Sequence, residues 1–296
     1  KQQQDNGEFA GMLEATDQSL GRIRAKLEEL GLTENTIVIF TADNGGMSAS
    51  NQYRGINHPR KTLDSRFASS NLPLRGAKGW NYEGGIRVPF IIRGPGIPRN
   101  AYCSVPTAGW DLLPTYYELA GGVAELPGEL DGVSIAEAFY RGDAADIERS
   151  GDALIFHFPW YNGEPESSIR RGDFKLLKNL DTQAVALYKL SDDLSEKHDL
   201  KSFYPEMAAS LEQQMMEYLD SVGAEDVNEL RAGFLKNIEG EWLIKAEARA
   251  DSNRVEAAAG NSQAQRQLAE AEKYIKWLKQ EAIFTRERMA MSEVSK

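Results

Sequence analysis

The stretch that decides the fold is Thr36-Ile37-Val38-Ile39-Phe40-Thr41-Ala42-Asp43-Asn44-Gly45-Gly46. Its apolar first half is typical of a buried parallel strand. Its second half places an acid and an amide, Asp43 and Asn44, at the carboxyl end of that strand, where open α/β sheets bind ligands. Carboxylate and amide oxygens suit a hard cation such as Ca²⁺ or Mg²⁺, whereas the structural alternative is a plain Asx-turn. The stretch therefore predicts an α/β fold with a candidate metal site at Asp43 and Asn44.

A second run surrounds one lysine with glycines: Leu74-Arg75-Gly76-Ala77-Lys78-Gly79-Trp80-Asn81-Tyr82-Glu83-Gly84-Gly85-Ile86-Arg87-Val88-Pro89. Glycines let the backbone come close to an anion while the ammonium group of Lys78 points at it. A divalent cation and a lysine in one pocket suit an oxyanion ester, so Lys78 is the candidate for holding that ester. We expect Glu83 and Arg87 to hold the loop through an ion pair or backbone hydrogen bonds.

Taken together, these motifs resemble those of the formylglycine-dependent sulfatases, a branch of the alkaline-phosphatase superfamily. The resemblance runs from about residue 8 to about residue 222, and its matching segments come in the same order: Gly11–Leu32, Asn35–Gly46, Ser70–Gly79, Glu83–Pro89, Asp111–Thr115 and Leu119–Gly121. It implies the C-terminal part of an alkaline-phosphatase-like α/β sandwich. A small four-stranded antiparallel sheet with a packed helix would follow, and then a helical tail. It also implies Ca²⁺ at Asp43 and Asn44, and a sulfate-binding catalytic role for Lys78.

The resemblance implies a nucleophile that this sequence lacks. Sulfatases oxidise the first residue of a Cys/Ser-x-Pro-x-Arg motif to formylglycine, and the sequence contains no such motif. The only cysteine, Cys103, is followed by Pro106 one place late and by no arginine, so we expect a small buried or strand-edge residue there. We interpret the chain as the C-terminal part of a longer enzyme, inactive as an isolated fragment. The family favours a periplasmic or secreted location.

The function implied by the resemblance is that of a sulfuric-ester hydrolase, which releases inorganic sulfate from an aryl or carbohydrate sulfate ester. His157, Trp160 and Tyr161 lie in a segment that faces the active-site mouth in sulfatases, and they either bind the substrate or simply pack. Two alternatives stay open: a phosphodiesterase or phosphonate monoester hydrolase of the same superfamily, and a non-catalytic relative that binds sulfated glycans. A Cys/Ser-x-Pro-x-Arg segment upstream would favour the sulfatase.

The composition disfavours several other classes of protein. The 296 residues carry a formal net charge of −11, and no basic stripe is evident, so a nucleic acid is disfavoured as partner. The apolar runs are strand-sized, so we expect no membrane span. The single cysteine excludes an internal disulfide framework. The partner that we expect is a sulfated small molecule or glycan.

The sequence divides into three predicted units, which are the catalytic part (1–145), the antiparallel-sheet subdomain (146–223) and a helical tail (224–296). The predicted helices are Glu8–Leu30, Trp110–Ala120 and Pro205–Val222, and the predicted strands are 36–41, 88–93, 153–158, 167–171, 174–178 and 184–190. A coiled-coil-like seam runs along the tail, formed by Leu268, Ala271, Ile275, Leu278, Ala282, Thr285 and Met289. We favour a tail helix packed on its own domain, with self-association through this helix as the alternative.

Overall fold

The computed structural model describes residues 7–47, 69–123, 126, 130–159 and 165–294. The candidate residues Trp160 and Tyr161 lie outside the described residues. The first part of the chain contains α1 (Gly7–Glu29), β1 (Val38–Thr41), α2 (Glu83–Ile86), β2 (Phe90–Arg93), α3 (Leu112–Leu119) and α4 (Ala136–Arg141). The second part contains β3 (Leu154–Phe158), β4 (Glu166–Arg171), β5 (Phe174–Asn179), β6 (Val185–Lys189) and α5 (Pro205–Ser221). The tail contains α6 (Val227–Asn237), α7 (Leu243–Ala258) and α8 (Ser262–Val294).

The first helix, α1, forms within one residue of its predicted bounds. It ends at Gly31, whose φ of 66° lies in the left-handed region that favours glycine. The Gly31 amide donates to the Glu28 carbonyl, and the Leu32 amide donates to the Leu27 carbonyl, as in a standard helix C-terminus. No residue of α1 is fully buried in the described structure.

The two strands β1 and β2 form an antiparallel pair, in which Val38 lies opposite Arg93 and Thr41 lies opposite Phe90. The prediction of a buried parallel strand is therefore wrong for the described residues. Both strands are half-buried or exposed, and Ile91 is 62% exposed. An apolar run indicates a strand and its tendency to be buried, but it contains no information on the direction of the neighbouring strand or on how much of the strand that neighbour covers.

The antiparallel subdomain is confirmed as a four-stranded sheet in the order β3-β4-β5-β6. Gly172, with a φ of 56°, makes the tight turn between β4 and β5. The helix α5 packs on one face of the sheet and closes its core, which contains Ile169, Leu176, Val185, Leu187, Ala208, Leu211, Met215 and Leu219. The opposite face of the sheet contacts the first part of the chain, for example through Lys175 of β5 and Glu83 of α2.

In the described part of the tail, α8 packs along α7, and the chain breaks between them at Gly260, whose φ is 89°. All seven seam residues are buried or half-buried, and Leu278 is fully buried in a core with Ile238 and Trp277. At the base of the tail, Arg231 pairs with Asp181 of the β5–β6 turn, with 2.6 Å between Nη1 and Oδ1. The tail helices thus pack on one another, and Arg231 joins them to the sheet subdomain, in agreement with the favoured packing. The domain bounds and self-association stay predictions.

Membrane-spanning helices were sought among the described residues. None of these helices is both long enough and apolar enough to cross a bilayer.

Candidate functional site

The turn after β1 lies against the loop that contains Lys78, here called the lysine loop (residues 74–86). The Gly45 amide donates to the Gly85 carbonyl at 2.8 Å, and the Lys78 amide donates to the Gly46 carbonyl at 3.2 Å. The structure therefore brings the turn of Asp43 and Asn44 next to Lys78.

Asn71 cross-links these two segments with its side-chain amide. Its Oδ1 accepts the Gly46 N–H at 3.0 Å, and its Nδ2 donates to the carbonyls of Gly46 at 2.8 Å and Gly76 at 3.2 Å. The sequence motifs indicate no individual role for Asn71, although it belongs to the matching segment Ser70–Gly79. Its partners are all backbone atoms, and one lies 25 residues away, so no local pattern could identify them.

Three glycines let the backbone segments of the site stack in direct contact. A Cβ atom at Gly45 would lie 1.9 Å from the Gly84 carbonyl oxygen, and one at Gly84 would lie 2.4 Å from that of Arg75. A Cβ atom at Gly85 would lie 2.0 Å from the carbonyl oxygen of Trp80. Because all these neighbours are backbone atoms, rotation of a side chain cannot relieve the clash. The glycines are therefore required by the packing of the loop itself.

Lys78 lies at the tight bend of the lysine loop. Gly76 and Gly79, on either side of it, have φ values of 78° and 91°, which favour glycine. Ala77 is fully buried and anchors the bend, whereas Lys78 is half-buried. The loop thus holds the lysine backbone in a defined place beside the β1 turn.

The side chains of Asp43 and Asn44 provide two hard oxygen donors at the end of β1. Asp43 is exposed, and the half-buried Asn44 donates from Nδ2 to the Gly45 carbonyl at 2.9 Å, so its amide oxygen is the atom that would bind a cation. This donor chemistry fits Ca²⁺, but Ca²⁺ takes about six to eight oxygens. Within the described ranges, no group of three or more His, Cys, Asp or Glu residues could hold a metal ion. The two residues can therefore form only part of a calcium site.

A buried ion-pair cluster lies beneath the lysine loop. Lys175 of β5 places Nζ 2.8 Å from Oε1 of Glu83 and 2.9 Å from Oε1 of Glu196. Oε2 of Glu196 also accepts the Glu83 N–H at 2.7 Å. Burial raises the pKa of the Glu196 carboxyl above its usual value. The predicted ion pair between Glu83 and Arg87 is present at 3.6 Å, whereas no motif in the sequence indicates Lys175 or Glu196.

Arg75 joins the lysine loop to the sheet on the other side of this cluster. Its Nη1 donates to the Glu196 carbonyl at 2.7 Å and to the Tyr188 hydroxyl at 3.3 Å. Its guanidinium group stacks on the Tyr82 ring at 3.9 Å from the ring centre. Burial raises the pKa of both the Tyr82 and the Tyr188 phenol above the ordinary value. Arg75 is thus held by contacts within the protein.

Asp111, which begins another matching segment, is a structural residue. It is completely buried, and Oδ1 and Oδ2 accept from Arg149 at 2.8 Å and 2.9 Å. The same carboxylate accepts the N–H groups of Ala108 and Val133. This bidentate, charge-assisted contact fixes the start of α3 to the chain that leads into the sheet.

The end of β3 lies beside the lysine loop. Phe158 is paired with Glu166 of β4. Glu166 in turn accepts the Asn81 N–H on Oε2 at 3.2 Å, and its carbonyl accepts from Asn81 Nδ2 at 3.0 Å. Trp160 and Tyr161 follow Phe158 by two and three positions in sequence and lie outside the described residues, so substrate binding by them stays a prediction.

His157 has a partner within the protein for each ring nitrogen. Nδ1 lies 2.8 Å from the Ser167 hydroxyl, and Nε2 lies 2.9 Å from the Glu225 carbonyl. Since a carbonyl only accepts, Nε2 carries the proton of the neutral ring and Nδ1 accepts from the hydroxyl. These contacts favour a packing role between the sheet and the start of the tail, and substrate binding by His157 stays a prediction.

Cys103 is an exposed residue in a stretch without helix or strand. The expectation of a buried or strand-edge position is therefore wrong. The apolar character of a lone cysteine favours burial on average, but here its neighbour Tyr102 is 94% exposed, so the segment as a whole faces outward.

Comparisons with known proteins agree with this arrangement of motifs. Residues 1–123 match the sulfatase family model. A sulfatase of Formosa agariphila is 32% identical over 252 residues, which cover 78% of this chain and 40% of that protein. The steryl-sulfatase of Mus musculus is 36% identical over 169 residues, which cover 53% of this chain and 25% of that protein. The chain thus spans less than half the length of either relative.

A solved structure gives the same result for the fold. The crystal structure of Ps i-CgsB in complex with k-i-k-neocarrahexaose has a TM-score of 0.58 and 27% sequence identity, covering 73% of this chain and 44% of that chain. The predicted fold class is confirmed: it is the alkaline-phosphatase-like α/β fold of the sulfatases, with its antiparallel subdomain and a helical tail. On the family match, the relatives and this fold, the chain contains part of a sulfatase, with the family's domain at residues 1–123.

Proposed function

We propose that this chain provides the sulfate-binding lysine and part of the metal site of a sulfuric-ester hydrolase, which releases inorganic sulfate from an aryl or carbohydrate sulfate ester. The observation that carries the proposal is the contact between the β1 turn and the lysine loop, in which Lys78 N–H donates to the Gly46 carbonyl. This contact places an ammonium group and two hard oxygen donors on neighbouring segments. Such a pair is complementary to the anionic group of a sulfate ester.

Lys78 is the proposed catalytic residue of this chain. When the S–O bond breaks, negative charge grows on the leaving oxygen, and the other sulfate oxygens remain charged. An ammonium group that is already in place stabilises this charge without reorganisation during the reaction. The glycine packing around Lys78 supports this role because it limits the positions that the loop can adopt.

Asp43 and Asn44 are the proposed ligands of Ca²⁺, through the carboxylate and the amide oxygen. When bound, a divalent cation provides Lewis-acid stabilisation of charge on the sulfate oxygens. We propose that the other ligands, and the formylglycine nucleophile that is typical of the family, belong to a part of the enzyme beyond this chain.

The segment after β3 is the proposed contact with the rest of the substrate. Glu166 links the end of β3 to Asn81 of the lysine loop, and the aromatic residues Trp160 and Tyr161 follow at once in sequence. Aromatic rings beside a few polar groups suit a sugar ring. The similarity to Ps i-CgsB, solved with a neocarrahexaose, supports a carbohydrate sulfate as substrate.

The test uses a protein that joins this chain to a segment with the Cys/Ser-x-Pro-x-Arg motif, assayed with 4-nitrophenyl sulfate and Ca²⁺. Lys78→Ala should lower kcat by about 10²-fold or more, as loss of one electrostatic stabiliser usually does. Asp43→Ala should lose bound Ca²⁺ and activity together. The control is Lys26→Ala, because Lys26 is an exposed lysine of α1. Near-normal turnover after Lys78→Ala, or unchanged calcium content after Asp43→Ala, would contradict the proposal. Preferred hydrolysis of an aryl phosphonate would favour the alternative.

A further inference from the structure

Strand β5 carries two buried lysines that point to opposite faces of the sheet. Lys175 is 1% exposed and pairs with Glu83 of the lysine loop. Lys178 is 8% exposed and pairs with Glu212 of α5 at 2.7 Å. The two residues thus have the same chemistry on the same strand, but only Lys175 contacts the site.

Lys175 holds two carboxylates that come from distant parts of the chain. Glu83 lies in the lysine loop, and Glu196 follows β6, where it is completely buried. Glu196 also accepts the backbone N–H of Glu83, so the loop is fixed at its main chain as well as at its side chain. The three residues Glu83, Lys175 and Glu196 are here called the Lys175 clamp.

The clamp connects to Lys78 through the stacked backbone. Glu83 is followed by Gly84, whose amide donates to the Arg75 carbonyl at 2.6 Å, and by Gly85, whose carbonyl accepts from Gly45 at 2.8 Å. When Glu83 is held in place, the hydrogen bond from Gly84 to Arg75, just before Lys78, is held as well. The same is true of the contact between Gly85 and the β1 turn. The stacked backbone segments can move little relative to each other, because they are packed so closely that a Cβ atom at Gly84 or Gly85 would overlap backbone atoms.

We propose that Lys175 is a positioning residue for Lys78, through which the antiparallel sheet sets the place of the lysine loop. The importance of this position for chemistry rests on the proposed role of Lys78 in holding sulfate. A charged clamp suits the task because a buried ammonium and its carboxylates are stable only in a narrow range of geometries. Loss of Lys175 would leave two carboxylates facing each other, with Arg75 and Arg87 as the neighbouring charges, and would free the loop.

The first experiment measures amide hydrogen exchange in the chain and in two matched variants, Lys175→Met and Lys178→Met. In Lys175→Met the amides of Glu83, Gly84 and Gly85 should exchange about 10- to 100-fold faster, the factor expected when hydrogen bonds to charged groups are lost. In Lys178→Met these amides should stay within about twofold of wild type, as for independent sites.

The sheet provides the internal reference for that experiment. The Leu187 amide, which donates to Asp199, and the Leu200 amide, which donates to the Leu187 carbonyl, report on the sheet and the segment behind it. Their exchange should stay within about twofold of wild type in Lys175→Met. If Lys175→Met does not fold, the same exchange measurement is made on Glu83→Gln, which weakens one ion pair of the clamp and keeps the volume of the side chain. Unchanged loop amides in the variant that folds, or equal acceleration across loop and sheet, would overturn the proposal.

A second measurement separates the positioning role from the proposed function. Acylation of Lys78 by acetic anhydride is followed by mass spectrometry, in sodium sulfate and in sodium chloride of equal ionic strength. Sulfate should slow the acylation of Lys78 in wild type and in Lys178→Met, and this protection should be lost in Lys175→Met. Equal protection in Lys175→Met would overturn the positioning role. Absence of protection in wild type would count against sulfate binding by Lys78, while the exchange data would still decide whether the clamp positions the loop.

Discussion

The substitution Gly85→Ala should destabilise the site by steric overlap alone. The φ of Gly85 lies outside the left-handed region, so alanine can adopt its backbone conformation. The new Cβ would lie 2.0 Å from the Trp80 carbonyl oxygen and 2.5 Å from that of Ala77, whereas ordinary contact begins at 3.4 Å. Overpacking costs about 1–3 kcal/mol. We expect the upper end of this range, about 3 kcal/mol, because both neighbours are backbone atoms of one tight loop.

The assay is urea unfolding of the chain, with amide exchange of Gly45 as the local reporter, since the Gly45 amide donates to the Gly85 carbonyl. The matched control is Gly11→Ala in α1, where a Cβ would meet nothing within 4 Å. This control should gain about 0.5–1 kcal/mol from helix propensity. If Gly85→Ala were as stable as wild type and the Gly45 amide kept its protection, the stacked backbone would not be as tight as described.

Three further predictions concern burial, pH and turnover. Arg149→Met should cost about 3–5 kcal/mol in urea unfolding, because it leaves the Asp111 carboxylate buried without its partner. The control Arg141→Met, at an exposed pair, should cost about 0–1 kcal/mol, and equal costs would argue against the buried pair. Because burial raises the pKa of Glu196 above 4.5, the folded state binds this proton more tightly. The unfolding free energy of wild type relative to Glu196→Gln should therefore fall as pH rises from 4.5 through the raised pKa, and a difference independent of pH would refute this. The chain alone should show no multiple turnover of 4-nitrophenyl sulfate above a Lys78→Ala control, and clear turnover would reveal a nucleophile within it.

Local patterns were sufficient to predict most elements and both motifs of the site. The predicted strands 153–158, 167–171, 174–178 and 184–190 identified the antiparallel sheet, because each strand is specified by its own residues. The apolar run of 36–41 identified β1 as a strand, but among the described residues its neighbour is antiparallel, not parallel, and the strand is less buried than predicted. Strand direction is a property of the pair, and only one member of the pair lies in that run.

The residues that hold the site together could not be predicted from the sequence. A lysine in such a strand normally faces the solvent, whereas Lys175 is buried. Its partner Glu83 is 92 residues away in the sequence, so no local pattern indicates the pair. Glu196 lies in a polar segment typical of surface loops, yet it is completely buried because Lys175 and the Glu83 amide offset its desolvation. Such pairings depend on how the sheet packs against the loop, and no pattern within either segment specifies this packing.

The most direct test of the shared site is an NMR titration of the ¹⁵N-labelled chain with sodium sulfate, with sodium chloride at equal ionic strength as reference. If the β1 turn and the lysine loop form one site, the amide resonances of Gly45, Gly46, Lys78 and Gly79 should shift together with sulfate and follow one binding curve. Chloride should leave them in place, and Lys78→Ala should abolish the shifts with the fold intact. Shifts of equal size with chloride, or sulfate shifts that survive Lys78→Ala, would contradict a sulfate site built on Lys78.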